Sequence, residues 1–183
     1  MYTATTVSTD QELEQILELQ RQNLKQFISP EEKQEQGFLT VQFDLPLLQQ
    51  LHAIAPSVII KHQDEVVAYA MTVLLESRPL YKQIDAMFAS FDQAQWKGKP
   101  LHDYSFYVMG QVCVSKAHRG QGLFDQLYAH HKTVYSPRFD FIITEISTSN
   151  TRSIQAHKRV GFETIYTYPD AIDTWNIVVW DWR

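Results

Sequence analysis

Val114-Ser-Lys-Ala-His-Arg-Gly-Gln-Gly-Leu-Phe124 joins two segments of different periodicity, and its reading decides the fold. Upstream, Ser105-Phe-Tyr-Val-Met-Gly-Gln-Val-Cys-Val114 is aromatic and β-branched, which predicts a buried strand. Downstream, Leu123, Phe124, Leu127, Tyr128 and Val134 fall close to helical spacing, so a helix begins near Gly122 and Pro137 ends it. Phe139-Asp-Phe-Ile-Ile-Thr-Glu-Ile146 then reads as a second buried strand. Strand, glycine turn, helix and strand make a βαβ unit, whose two strands must run parallel.

The turn carries the chemistry. Gly120 and Gly122 remove two Cβ atoms where the backbone must curl, leaving successive N–H groups free to face one ligand. Those groups sit at a helix start, where the macrodipole favours an anion. Arg119 adds a permanent cation, so the turn suits a phosphate or pyrophosphate. The alternative is a glycine-rich strand–helix turn that binds nothing. A Walker loop is excluded because Leu123-Phe124 replaces its Lys-Ser/Thr ending, and a dinucleotide fingerprint because Asp125 stands at its third glycine.

The stretch resembles motif A of the GNAT acetyltransferases, Arg/Gln-x-x-Gly-x-Gly/Ala, through Arg119, Gly122 and Phe124, although a small residue is usual where Phe124 stands. Asn150-Thr-Arg-Ser-Ile-Gln-Ala-His-Lys-Arg-Val-Gly-Phe162 is similar to the family's second motif. Physically, Asn150 is a good N-cap and Gly161 a good helix stop, and Ser153, His157 and Val160 share one helical face. The two motifs occur in the family's order, and the resemblance covers roughly residues 58 to 182.

The resemblance implies one α/β domain over residues 1–183, a mixed and mostly antiparallel sheet with helices on both faces and one parallel pair of splayed strands. It implies that acetyl-coenzyme A enters the gap between those strands. Backbone groups of Val112, Cys113 and Val114 would hold the pantetheine, Arg119, Gly120, Gln121, Gly122, Leu123 and Phe124 the pyrophosphate, and Asn150 with Ser153 the cofactor's arm. The implied reaction is direct attack of an amine, from a small molecule or peptide, on the thioester. His157 stands where many relatives carry a tyrosine that protonates the departing thiolate. Glu145, on the second strand, is the first choice of base, with Asp103 and His102 as others. A coenzyme A-binding sensor or interaction module without transferase activity is the competing reading. No metal is called for.

Composition agrees with a globular domain: 183 residues, 44% hydrophobic and 20% charged. A net charge of −5 argues against a nucleic-acid footprint and permits a cationic substrate. The lone Cys113 cannot form an internal disulfide, which points to a reducing cytoplasm. No basic, apolar leader opens the chain, and no apolar run reaches the about 18 residues of a membrane span.

Elsewhere, residues 2–8 read as a first strand, and Thr9-Asp-Gln-Glu12 as a capping box. The helix it opens carries Leu13, Ile16, Leu17, Leu24 and Phe27 on one face and stops at Ser29-Pro30. Glu31 to Gln36 is a solvated connector, and Asp44 to Pro56 a second helix; the resemblance implies that the loop between the two helices borders the acceptor, where Phe38 and Phe43 either contribute or pack. Val58–His62 and Val66–Leu75 form a hairpin, with His62 exposed beside its tip. Residues 76–104 are long for a connection, and Ile84, Met87, Phe88 and Phe91 predict a helix there. That segment is either a patch on the sheet or a lid over the acceptor, with Tyr81, Phe88, Trp96, His102 and Tyr104 available to line it. The last two strands are Glu163–Tyr168 and Trp175–Trp182, the latter half-buried by its alternation; its tryptophans permit a homodimer.

Overall fold

The computed structural model describes residues 1–80, 82 and 85–183. Its strands are β1 (Tyr2–Thr6), β2 (Val58–His62), β3 (Glu65–Val73), β4 (Gln95–Trp96), β5 (Lys99–Pro100), β6 (Phe106–Val114), β7 (Phe141–Ser147), β8 (Glu163–Pro169) and β9 (Thr174–Asp181). The α-helices are α1 (Asp10–Asn23), α2 (Pro30–Gln36), α3 (Leu45–Ile54), α4 (Asp85–Phe91), α5 (Leu123–Tyr135) and α6 (Thr151–Val160). Seven strands form one sheet in the order β1-β2-β3-β6-β7-β9-β8, antiparallel except for the β6–β7 pair.

Each face of the sheet has its own core. On one face, Leu13 and Ile16 of α1, Leu48 and Leu51 of α3, and Met87, Phe88 and Phe91 of α4 cover Tyr69, Met71, Ile143 and Ile177. On the other, Leu123, Leu127, Tyr128 and Tyr135 of α5 cover Ala68, Ala70, Ile142 and Val178. Strand β9 therefore buries both faces, with Ile177 and Val179 inward on one and Val178 on the other, rather than the half-buried alternation expected.

The capping box forms as read: Thr9 Oγ1 accepts from the Glu12 N–H, while the Glu12 carboxylate accepts from the Thr9 N–H. Its helix ends six residues early, at Asn23. Leu24 turns extended because it bridges to Leu39, with Leu39 N–H on the Asn23 carbonyl and Lys25 N–H on the Leu39 carbonyl. Leu24 is buried outside the helix, and Phe27 is 63% exposed. The expected connector at 31–36 is helix α2, because Ser29 caps the Glu32 N–H and Pro30 suits the first turn. His62 is half-buried rather than exposed, its ring near those of Tyr2 and His118.

In the 76–104 segment, α4 packs into the first core, while Tyr81 and Ile84 lie outside the described residues. The β4–β5 ribbon turns at Lys97 and Gly98, both in the left-handed region. Trp96 Nε1 donates to Asp181 at 2.9 Å, and Tyr104 Oη to the Trp96 carbonyl at 2.7 Å, which pins the ribbon to the end of β9.

Candidate active site

Strands β6 and β7 pair at only three positions, Phe106–Phe141, Tyr107–Ile142 and Val108–Ile143. At the fork Thr144 Oγ1 donates to the Met109 carbonyl at 2.8 Å, using a side chain where the backbone ladder stops. Beyond it β6 continues to Val114 along β3 alone. A bulge lies there: Thr72 faces Met109 while Ala70 faces Val112, so β6 carries an extra residue. Gly110 sits in the bulge with no room for a side chain, since a Cβ would come 2.7 Å from Val73 Cγ2.

The glycine turn lies past the end of β6. Gly120 and Gly122 have φ of 75° and 72°, and a Cβ added at either would meet no atom within 4 Å. Their side-chain directions open on empty space. The first bond of α5 runs from the Gln126 N–H to the Gly122 carbonyl, so the N–H groups of Leu123, Phe124 and Asp125 precede the helical ladder.

A cavity of about 380 Å³ lies over this turn. Of the expected cofactor residues, Val112, Cys113, Val114, Arg119, Gly120, Gly122, Leu123, Phe124, Asn150 and Ser153 line it. Gln121 does not; its side chain is exposed. Arg119 is more constrained than a free phosphate ligand: its guanidinium donates to the Val114 carbonyl, Gln36 Oε1 and Asn23 Oδ1, the last at 2.6 Å. All three partners are uncharged, and among the described residues no carboxylate pairs with this cation. Asn150 is also partly committed: Oδ1 caps the Ser153 N–H and Nδ2 donates to the Phe38 carbonyl, which leaves one amide N–H.

The loop between the first two predicted helices, to which Phe38 and Phe43 belong, forms a strap over residues 37–43 whose anchors the sequence did not announce. It crosses from α6 to β6, held by Asn150 at Phe38, by Gln111 Nε2 at the Val41 carbonyl, and by Gln20 Oε1 at the Phe43 N–H. Gln111 Oε1 in turn accepts from Gln20 and from Tyr69, so the bulge, α1 and the strap share one buried network.

Under the strap is a second cavity of about 100 Å³, lined by Gln111, Glu145, His157, Trp175 and Met87 among others. It shares Phe38, Leu39, Val112, Asn150 and Ser153 with the first, so the two lie side by side at the fork. Among the described residues of the 76–104 segment Met87 is the one on its wall; Phe88 is in the core, and Trp96 and Tyr104 hold the ribbon.

Glu145 and His157 meet at this second cavity in different states. Burial pushes the Glu145 carboxyl up, a hydrogen bond from Tyr168 pulls it down, and Asp170 pushes it up again, leaving it at about 7. Tyr168 Oη donates to Glu145 Oε2 at 2.5 Å. Burial holds His157 down at about 4, so it is neutral at physiological pH. Its Nδ1 lies 2.8 Å from the Ser153 carbonyl, which can only accept, so Nδ1 carries the proton. Nε2 then accepts from Tyr128 Oη at 2.6 Å. With both nitrogens engaged and no charge, His157 does not present the acidic imidazolium expected of a thiolate's proton donor. Burial pushes the Cys113 thiol up to about 12, which keeps it protonated and a poor nucleophile.

The acetyltransferase (GNAT) family model matches residues 13–162. The chain belongs to this family. No curated protein matches this GNAT chain by sequence. Among solved structures it resembles the ribosomal-protein-S18-alanine N-acetyltransferase of Escherichia coli, with TM-score 0.64 and 13% identity over 99% of this chain and 94% of that one. It also resembles Arabidopsis thaliana NAA60 in complex with acetyl-CoA, with TM-score 0.67 and 12% identity over 99% of both. A third is Arabidopsis thaliana Naa50 in complex with the bisubstrate analogue CoA-Ac-MVNAL, with TM-score 0.61 and 16% identity over 99% of both. At these identities the likeness speaks for the GNAT fold. Among the described residues no helix is long and apolar enough to cross a membrane.

Proposed function

We propose that this GNAT protein transfers an acetyl group from acetyl-CoA to a primary amine of a small molecule or peptide, by direct attack in a ternary complex. The observation that carries the reading is the adjacency of the two cavities, one over the glycine turn and one at Glu145, which share five lining residues at the fork. The residues fit a coenzyme A. The space beyond Gly120 and Gly122 takes a pyrophosphate against the α5 N–H groups, and β6 beyond the fork offers backbone groups to an added strand.

Acetyl-CoA, when bound, supplies an activated thioester. Val112, Cys113 and Val114 would hold its pantetheine, residues 119 to 124 its pyrophosphate, and Asn150 and Ser153 its arm. Glu145 takes a proton from the incoming ammonium: a carboxyl at about 7 is half ionised at neutrality and matched to that transfer. A backbone N–H in the β6 bulge would steady negative charge on the carbonyl oxygen; as the C–N bond forms the C–S bond would break, and the thiolate would leave with the proton that the attacking nitrogen sheds. The inert Cys113 supports direct attack over an acyl-cysteine route. An amine acceptor is supported by the inner cavity wall, where among the described residues Glu145 is the one carboxylate and no lysine or arginine stands.

The test is thiol release from acetyl-CoA across a panel of amines, with acetyl-CoA binding followed by calorimetry. Turnover with at least one amine is expected, and Glu145→Gln should lower kcat about 10²-fold or more without weakening acetyl-CoA binding. Binding without release for every amine would make the chain a coenzyme A sensor or interaction module instead. Full turnover by Glu145→Gln would remove Glu145 from the base role.

A further inference from the structure

We propose that Tyr168 is a positioning residue for the Glu145 base: its phenol fixes one carboxylate oxygen and leaves the other for the acceptor. The proposal rests on the reading of Glu145 as base. The 2.5 Å contact between Tyr168 Oη and Glu145 Oε2 is at the short end for a donor meeting a carboxylate. Tyr168 is itself held. Its ring stacks on Tyr166 with centroids 6.3 Å apart and planes 16° from parallel, and Tyr166 Oη donates to Gln93 of the segment before β4. Register sets Tyr168 of β8 opposite Trp175 and Glu145 of β7 opposite Ile177, so the phenol and the carboxylate reach each other across β9.

The surroundings explain why such a partner is needed. The titratable groups that face Glu145 are Tyr168 from β8, Asp170 from the loop after it, and His157 of α6 across the cavity. Ser147, two residues along β7, donates to Asp173, another acid at the same end. The described residues place no cation on that wall, burial disfavours the carboxylate, and the nearby acid disfavours it further. The phenol is the group that stabilises the ionised form. Burial, and then the carboxylate itself, push the Tyr168 hydroxyl far up, so it remains a donor throughout the working range. Without it, Glu145 would hold its proton to higher pH, and its side chain would lose the contact that fixes its rotamer.

The experiment compares the native protein, Tyr168→Phe, Glu145→Gln and the double variant. The Glu145 carboxyl is titrated by carbon-13 NMR in the unliganded protein, with Glu145→Gln assigning its signal. For the best amine of the panel, kcat/KM is followed against pH. In Tyr168→Phe the carboxyl midpoint should rise by about one to two pH units, the scale of one hydrogen bond to a charged group. The acid limb of kcat/KM should move by the same amount, with most activity recovered at high pH. In the Glu145→Gln background, Tyr168→Phe should change the rate little. An unmoved midpoint and limb in a folded Tyr168→Phe protein, with Glu145→Gln inactive, overturns the Tyr168 proposal. Native turnover by Glu145→Gln shows instead that the underlying base reading has failed, whatever Tyr168 does to the carboxyl.

Discussion

Replacing His157 by Phe separates a chemical role from a structural one. At a pKa of about 4, roughly one His157 ring in a thousand is protonated at pH 7, and its one N–H is held by the Ser153 carbonyl. The expected kinetic loss is therefore small, within several-fold. The stability loss is not. Phenylalanine keeps the ring in the apolar contact with Phe124 and Phe162, and the Ser153 carbonyl keeps its helical bond from the residue 157 N–H, but Tyr128 Oη, fully buried, is stranded. One unsatisfied buried group costs about 1–3 kcal/mol. For a chain of this length that is a fall in Tm of about 2–12 °C. Thermal unfolding by circular dichroism at pH 7.5 measures it, and turnover is assayed well below the lowered Tm. A native Tm combined with a 10²-fold loss of kcat would refute this reasoning and restore His157 as the proton donor.

Gly122→Val should weaken acetyl-CoA binding at least tenfold, about 1.4 kcal/mol, because its side chain would project into the open space over the turn; unchanged affinity by calorimetry in a folded variant would count against the turn as phosphate site. Met87→Ala should raise the acceptor KM with acetyl-CoA affinity intact, whereas Trp96→Ala should lower Tm and leave acceptor kinetics alone; the reverse pattern would make the ribbon the acceptor's wall. Acid should destabilise the fold between pH 6.5 and 4.5. There the unfolded chain protonates His131 and His157, which burial holds near 3 and near 4 in the fold, while the fold keeps a proton on Glu145. Two protons against one leave the unfolded state one ahead, so stability should fall by roughly 1.4 kcal/mol per pH unit as pH drops. A urea midpoint that stays flat across that window would contradict it.

What was legible in the sequence was local. Gly120 and Gly122 at a strand end, the Thr9 capping box, and Asn150 and Gly161 bracketing a helix are each settled by neighbours within a few residues. The structure bears out the fold and parallel pair they imply. What escaped reading depends on distant partners. Nothing near Leu24 announces that Leu39 will draw it out of α1, and hydrophobic spacing continued the helix straight through it. The anchoring of the strap was invisible for the same reason, since Gln20, Gln111 and Asn150 hold it from three different elements. Glu145 was singled out from its strand, but its partner Tyr168 lies 23 residues later and resembles any other residue of an aromatic strand. Polar residues in buried strands, such as Gln111 and Glu145, are the one sequence signal that could have pointed to these networks.

The three-rung seam between β6 and β7 has a consequence for the protein's life in solution. Such an edge is a template for stray strands, and the protein blunts it with the strap rather than with a neighbouring strand. A ligand laid along that edge would act as the missing rungs. Saturation at 100 times Kd would add about 2.7 kcal/mol of resistance to unfolding. The durability of the fold, and its freedom from aggregation, would then rise and fall with the local supply of acetyl-CoA, so that a starved chain is also a more fragile one.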